Sequence, residues 1–327
     1  MEESPSLFTL PEMILKNLDN QSLTKCLALC WLSKEREKLT KSLKLRTRQG
    51  TQRLLWVEII QKYVRNIEKF PETWEKVIDK APIEMLEKLA LCVHEFFTFR
   101  QSRNEHQWNP LHIAAERGTL RLCKFIFEKI GKQNPSRSDG LTALHLSAQN
   151  GHLEVCKFFI ENVEEVNPCN NVGLTPLHYA AASGHLEICK ILVKNAQENA
   201  NPGDKNGWTP LHWAAQFGNF DVCNLLINNI IERNPVDKNG ITPLHSAAIN
   251  GHLDICQLII HNVMDKNPVD KNGVTPLHDA TMNNHFEVCK FITEIIEDKN
   301  PTANDGRTPS DLALEMGYFG LLKLFKD

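Results

Sequence analysis

The sequence predicts a mainly α fold: a solenoid of about seven helix-turn-helix units joined by β-hairpin loops, with a small helical region in front. Two periodic features predict it. A Leu-His pair recurs every 33 or 34 residues, at Leu111, Leu144, Leu177, Leu211, Leu244 and Leu277. An Asn-Pro pair has the same period, at Asn134, Asn167, Asn201, Asn234, Asn267 and Asn300. Such periods are typical of stacked units, because one unit cannot bury its own apolar face.

Each element of the repeat follows from its residues. The turn Asp237–Gly240 ends in a glycine, which accepts the positive φ of a hairpin turn. Thr242 and Pro243 suit the N-cap and first turn of a helix, and Gly251 suits its end. A second helix with apolar residues at helical spacing follows. Asn-Pro is expected to stop it, since the residue before proline avoids the helical conformation.

A complete copy reads Asn-Gly-x-Thr-Pro-Leu-His-x-Ala-Ala-x-x-Gly-His-Leu-x-Ile-Cys, from Asn239 to Cys256. This pattern resembles the ankyrin repeat over residues 104–327, with a degenerate last copy from Thr308 as a C-terminal cap. The resemblance implies a protein-binding module. In ankyrin stacks the hairpin tips and the exposed side of the first helices form a concave surface that holds a partner.

The chain has ten cysteines, and six occupy one repeat slot: Cys123, Cys156, Cys189, Cys223, Cys256 and Cys289. Leu322 has that slot in the last copy, which predicts small buried residues there. Helices of neighbouring units pack about 8–10 Å apart, too far for these thiols to share a metal. No metal and no cofactor are expected. The Leu-His histidines, and a second set after Gly or Asn, are interpreted as structural, the first set coupling neighbouring turns through the hairpin backbone.

In the ankyrin pattern the variable contacts precede Thr-Pro and follow Ala-Ala. Copy four departs most from the others, because it is rich in aromatic residues. The predicted partner-binding groove comprises Trp108, Tyr179, Trp208, Trp213, Phe217 and Ile241. The alternative is that Tyr179 and Trp213 pack between copies, as Leu146 has the same position. Copy four also follows one extra residue within Ala196–Gly203, which either widens the groove or has no effect.

Residues 1–103 lack the repeat. Between Leu10 and Trp31 they contain Leu-Pro, Leu-Asp, Ser-Leu and Cys-Trp, and this segment resembles an F-box, the helical motif that docks on the adaptor Skp1 in cullin-based ubiquitin ligases. It is about four residues, one helical turn, shorter than usual. The resemblance implies Skp1 binding by Leu10, Pro11, Ile14, Leu18, Leu23 and Leu29. The predicted domains are 1–50 (F-box-like), 51–103 (helical linker or N-terminal cap) and 104–327.

The leading hypothesis is a non-catalytic substrate receptor of a Skp1–cullin–F-box ubiquitin ligase, acting as a monomer within a complex. The alternative is a plain ankyrin scaffold whose N-terminal helices only cap the stack. Phosphate-loop, metalloprotease and nucleophile-elbow motifs are absent from the sequence. The net charge of −3 argues against nucleic acid, and no apolar run reaches the ~18 residues of a membrane span. Unpaired cysteines favour a cytoplasmic location, and the basic run 34–53 leaves the nucleus open.

Overall fold

The computed structural model describes residues 110–129, 134–195 and 201–325. The F-box-like segment, the region 51–103 and Trp108 lie outside these ranges. The chain divides into two compact units, Met1–Lys132 and Gln133–Asp327. In the first unit, α1 (Pro110–Glu116) and α2 (Leu120–Lys129) pack on each other, with Leu111, Cys123 and Phe127 buried.

The second unit is a double row of short helices. The first row consists of α3 (Ala143–Gln149), α5 (Pro176–Ala182), α7 (Pro210–Gln216), α9 (Pro243–Ile249), α11 (Pro276–Met282) and α13 (Pro309–Glu315). The second row consists of α4 (Leu153–Asn162), α6 (Leu186–Asn195), α8 (Phe220–Asn229), α10 (Leu253–Asn262) and α12 (Phe286–Thr293). Neighbouring helices pack within each row and between the rows. This stacking confirms a mainly helical repeat fold.

The hairpin loops lack strands throughout the described ranges. In copy four the backbone N–H of Asp204 donates to the Trp208 carbonyl at 2.7 Å. The return bond goes to the Asp204 side chain, because the Trp208 N–H donates to Oδ1 at 2.9 Å. A carboxylate thus replaces the second backbone bond that a β-ladder needs. The predicted β-hairpin loops are therefore tight turns, and a bond from Lys205 N–H to the Val172 carbonyl (3.0 Å) joins successive tips.

The cysteine slot is buried in all six copies, with no exposed surface at any of the six residues. Burial raises the pKa of the Cys156 and Cys189 thiols to about 12, so they stay neutral and pack as small apolar groups. The expectation for the last copy is wrong by one residue. There the second helix is reduced to a 3-10 turn, Leu321–Lys323, and this tighter turn buries Leu321 instead of Leu322.

The second helices end before the Asn-Pro pairs, so the predicted helix stop is also wrong. The helix α4 ends at Asn162, whose Nδ2 donates to the Phe158 carbonyl at 2.8 Å, and Asn195, Asn229 and Asn262 make the same bond. The asparagine of Asn-Pro has another role. Asn234 Oδ1 accepts from the Leu244 N–H at 3.3 Å, in the first turn of the next helix α9.

The extra residue before copy four can be located from these contacts. Asn201 Oδ1 accepts from the Leu211 N–H at 3.2 Å, ten residues on, as Asn234 does for Leu244. Since α6 ends at Asn195 in the usual register, the extra residue lies between Asn195 and Asn201. The turn and first helix of copy four therefore keep the spacing of the other copies.

Candidate protein-binding surface

From copy two to copy six, the histidine of the Leu-His pair holds a turn in place. In copy four, His212 Nδ1 accepts the backbone N–H of Thr209 at 3.1 Å, which caps α7. Its Nε2–H donates to the Ile241 carbonyl of the next copy at 3.1 Å. The ring is therefore the neutral Nε2–H tautomer, because Nδ1 is an acceptor. His145, His178, His245 and His278 make the equivalent pairs of bonds.

These contacts confirm that the Leu-His histidines couple neighbouring turns and show that they also cap the first helices. Burial lowers the pKa of His145, His178 and His212 to about 4. The second histidine set bonds backward instead, as His185 Nε2 does to the Gln149 carbonyl at 3.0 Å. Asn219 replaces a histidine there and still donates to the Ala181 carbonyl at 2.7 Å. Both sets of histidines are therefore structural: their hydrogen bonds join neighbouring copies and fix the positions of the turns.

Three of the predicted groove residues form one continuous surface, the aromatic row Trp208–Trp213–Phe217. The rings of Trp208 and Trp213 meet edge to face with centroids 5.5 Å apart. Trp213 and Phe217 stack at 6.0 Å with their planes 12° apart. Phe217 is 56% exposed, whereas both tryptophans are half-buried. The row thus combines a fixed base with an accessible end.

Trp208 is held from two sides. Its Nε1–H donates at 3.1 Å to the carboxylate of Asp237 on the next turn, and its ring stacks on His212 with centroids 5.5 Å apart. Asp237 is only 7% exposed, so the bond satisfies a buried acceptor. Trp208 is consequently a structural link between copies four and five as well as a surface residue. The sequence predicts Trp208 as a groove residue, and the bond to Asp237 is a contact that only the packed copies reveal.

The other predicted groove residues in the described ranges, Tyr179 and Ile241, lie on the copies before and after copy four. Tyr179 is half-buried, accepts a hydrogen bond from Asn170 Nδ2 at 3.1 Å and meets His145 edge to face at 5.7 Å. This supports the alternative that Tyr179 packs within the stack. Ile241 is half-buried on the turn after the row, with its carbonyl bonded to His212.

The residue after Leu-His, here called the variable slot, holds a feature that the sequence reading missed. Its occupants are Ile113, Leu146, Tyr179, Trp213, Ser246, Asp279 and, in the last copy, Leu312. Ser246 is fully buried and Asp279 is 9% exposed. Burial, and then the charge of Asp270, raise the pKa of Asp279 to about 7. The sequence does contain a signal for this feature, because Ser246 and Asp279 are polar residues at a position where Leu146 and Leu312 are apolar.

Five overlapping stretches match the family model described as "Ankyrin repeats (3 copies)": 80–170, 111–204, 162–237, 196–270 and 229–305. Together they span residues 80–305, more than half of the chain. The chain belongs to the ankyrin-repeat family. No curated protein matches the chain.

Ankyrin repeats bind protein partners, so the repeats of this chain are a protein–protein interaction module. In the part of the ankyrin stack that the structure describes, no three His, Cys, Asp or Glu side chains are grouped to hold a metal ion. Within the same ranges no helix combines the length and apolarity that a membrane crossing needs. Among the described residues, the first helix of copy four carries this aromatic row together with Trp208 before it and its C-cap Phe217, which is 56% exposed.

Proposed function

We propose that this ankyrin protein captures a protein partner on the aromatic row. The observation that carries the proposal is Phe217, a large aromatic side chain that is 56% exposed at the end of α7 and stacked on Trp213. Exposed aromatic residues on a rigid base are typical of binding hot spots.

The support beneath the row suits this role. The bonds from Trp208 to Asp237 and from His212 to the Ile241 carbonyl join copy four to copy five. A partner therefore meets side chains that are already ordered, and ordering costs on binding are small. Binding and positioning, without chemistry in this chain, account for these features.

The finer proposal is that the captured protein is a substrate for ubiquitination. It is supported by the F-box-like segment from Leu10 to Trp31, which would dock on a Skp1-type adaptor. Holding a substrate close to a ubiquitin-loaded enzyme raises its effective concentration. We place this activity in the cytoplasm, with the nucleus as a second site. A plain scaffold without a ubiquitin link is the competing proposal.

The capture proposal predicts that Phe217→Ala weakens binding of the protein partner at least tenfold, while the melting temperature stays within about 1 °C of wild type. Loss of a hot-spot aromatic side chain costs about 2 kcal/mol of binding energy, and the exposed ring contributes little to folding. The measurement is titration calorimetry with the captured partner. Phe319→Ala is the matched control, because Phe319 is 66% exposed but lies in the last copy. Equal affinities of the Phe217 variant and wild type would contradict the proposal.

The ligase proposal predicts that the full chain co-purifies with Skp1 and that the double variant Leu10→Ala, Pro11→Ala loses it. Both residues belong to the Leu-Pro pair through which the F-box resemblance implies docking. Pull-down with purified Skp1 measures this, with Phe217→Ala as the control that keeps Skp1. If wild type fails to bind, or the double variant binds equally well, the scaffold proposal stands instead.

A further inference from the structure

Three successive turns carry a lysine at the same position, here called the lysine row: Lys205, Lys238 and Lys271. All three residues are exposed. Their backbone positions are fixed, because the N–H of each lysine donates to a carbonyl of the preceding turn, at 3.0, 2.9 and 2.8 Å respectively. The row is therefore a line of accessible lysines anchored at regular steps along the stack, one in each of copies four to six.

The ammonium groups of the lysine row form no ion pair within the described ranges. An aspartate precedes each lysine, but its carboxylate bonds to the backbone of its own turn. Asp270 Oδ1 accepts the N–H groups of Asn272 and Val274, both at 2.8 Å, and Asp204 makes the equivalent pair of bonds. The aspartates thus close the turns, whereas the lysines are available to an external anion.

The turns on either side show that stacking does not require a lysine at this position. Asn171 and Asn304 occupy it in copies three and seven. Asn171 Nδ2 donates to the Ser138 carbonyl of the preceding turn at 2.7 Å, and Asn304 Nδ2 donates to the Lys271 carbonyl at 3.0 Å. Copies four to six lack this side-chain bond between turns and present a charge in its place. A contact that would stabilise the stack is given up there, which points to a ligand.

The lysine row borders the aromatic row. Lys205 precedes Trp208 on the turn of copy four. Lys238 directly follows Asp237, whose carboxylate accepts the Trp208 Nε1–H at 3.1 Å. The two rows therefore share the turns of copies four and five, and one bound segment can contact both.

We propose that the lysine row binds carboxylate side chains of an extended acidic segment of the protein partner, beside the residue that the aromatic row holds. This inference names the class of partner for the proposed capture function, on which it rests. Carboxylates form charge-assisted hydrogen bonds with ammonium groups. Three positive charges in line also favour an acidic segment over a basic one. A protein segment is preferred to nucleic acid because the chain has a net charge of −3.

The spacing of the lysine row sets the spacing of the acidic residues. Successive lysines are one copy apart, and packed helices of neighbouring copies are separated by about 8–10 Å. A segment in the polyproline II conformation advances about 3.1 Å per residue, with three residues per turn. Every third side chain then faces the row, at intervals of about 9 Å. The bound segment is therefore expected to contain Asp or Glu at every third residue.

A library of random dodecapeptides, displayed and selected on the full chain, tests this. We expect selected peptides to be enriched in Asp or Glu at a spacing of three, together with an aromatic or large apolar residue. For one such peptide, the triple variant Lys205→Asn, Lys238→Asn, Lys271→Asn should raise Kd at least tenfold. Replacing the acidic residues of the peptide by their amides should have the same effect on the wild-type chain. Added salt should weaken the wild-type complex more than that of the variant.

The asparagine variant separates lost recognition from lost folding. Its new side chains can make the bond between turns that Asn171 and Asn304 make, so the melting temperature should not fall below that of wild type. The matched control is Lys266→Gln, Lys290→Gln, Lys323→Gln, which removes three exposed lysines outside the row and should leave Kd within twofold. Equal losses in the two triple variants would overturn the inference, because only net charge would then matter.

The two levels of the proposal fail differently. If Phe217→Ala weakens the peptide but the asparagine variant leaves Kd unchanged, the acidic-partner inference is overturned and capture on the aromatic row stands. If the asparagine variant raises Kd but Phe217→Ala affects no selected peptide, capture on the aromatic row is wrong and acidic binding by the lysine row stands. Selection without acidic enrichment, selection that yields no peptide, or tighter binding of a thymidine dodecanucleotide than of any peptide also overturns the inference.

Discussion

Replacing Gly240 with alanine is expected to lower the free energy of unfolding by about 3 kcal/mol or more, the sum of a backbone penalty and a steric clash. Gly240 has φ +85°, a left-handed conformation that costs an L residue about 1–2 kcal/mol. An added Cβ would also lie 2.9 Å from the Cα of Asp270 and 3.0 Å from the N of Lys271. Both are backbone atoms of the next turn, so the two copies would have to separate.

Gly306 offers a matched control in the same chain. Its φ is +86°, yet an added Cβ would meet nothing within 4 Å. Gly306→Ala should therefore cost only the conformational part, about 1–2 kcal/mol. Urea unfolding followed by circular dichroism measures both variants. Similar losses in the two would show that the turns of copies five and six do not need their close approach.

Acidification from pH 6.5 to pH 4 is expected to destabilise the ankyrin stack steeply. The pKa of His145, His178 and His212 is lowered to about 4 in the folded chain, against about 6.5 when unfolded. Between these values the unfolded chain binds protons that the folded chain does not. The stabilisation is complete above pH 6.5 and is lost as the pH falls toward 4, by about 1.4 kcal/mol per pH unit for each histidine.

The variant His212→Gln measures how much the protonation of one histidine contributes to this pH dependence. Glutamine in this position completes a Thr-x-x-Gln capping box, so the cap on Thr209 can be kept without a titrating ring. The slope of unfolding free energy against pH should decrease by about 1.4 kcal/mol per unit, one proton, between pH 4.5 and 6. Urea midpoints at several pH values measure it. An unchanged slope would mean that the His212 ring takes up its proton without cost in the folded state.

Residues whose backbone must adopt a particular conformation, such as positive φ, can be predicted from the sequence. Gly240 and Gly251 were assigned from the turn and the helix end, and both have positive φ. Asn284 replaces a glycine of the second kind and still adopts φ 57°, within the tolerance that asparagine has for this region. The cysteine slot was predictable because its identity repeats at a spacing that only packing explains. The Asn-Pro stop was wrong because proline limits how far a helix can extend and does not determine where it ends.

The family, the repeat register, the turn glycines and the buried cysteines can be predicted from sequence, because each depends on residues close together in the chain or on exact repetition. The F-box resemblance also comes from the sequence and stays a prediction. The side chains that meet across copies are known only from the packed arrangement of the helices and turns. The bond from Trp208 to Asp237 spans 29 residues, and so does that from His212 to Ile241. Ser246 Oγ and Asp279 Oδ2 are buried without a hydrogen-bond partner, and this too appears only once neighbouring copies enclose them, because hydrogen-bond satisfaction belongs to the packed surroundings of a residue.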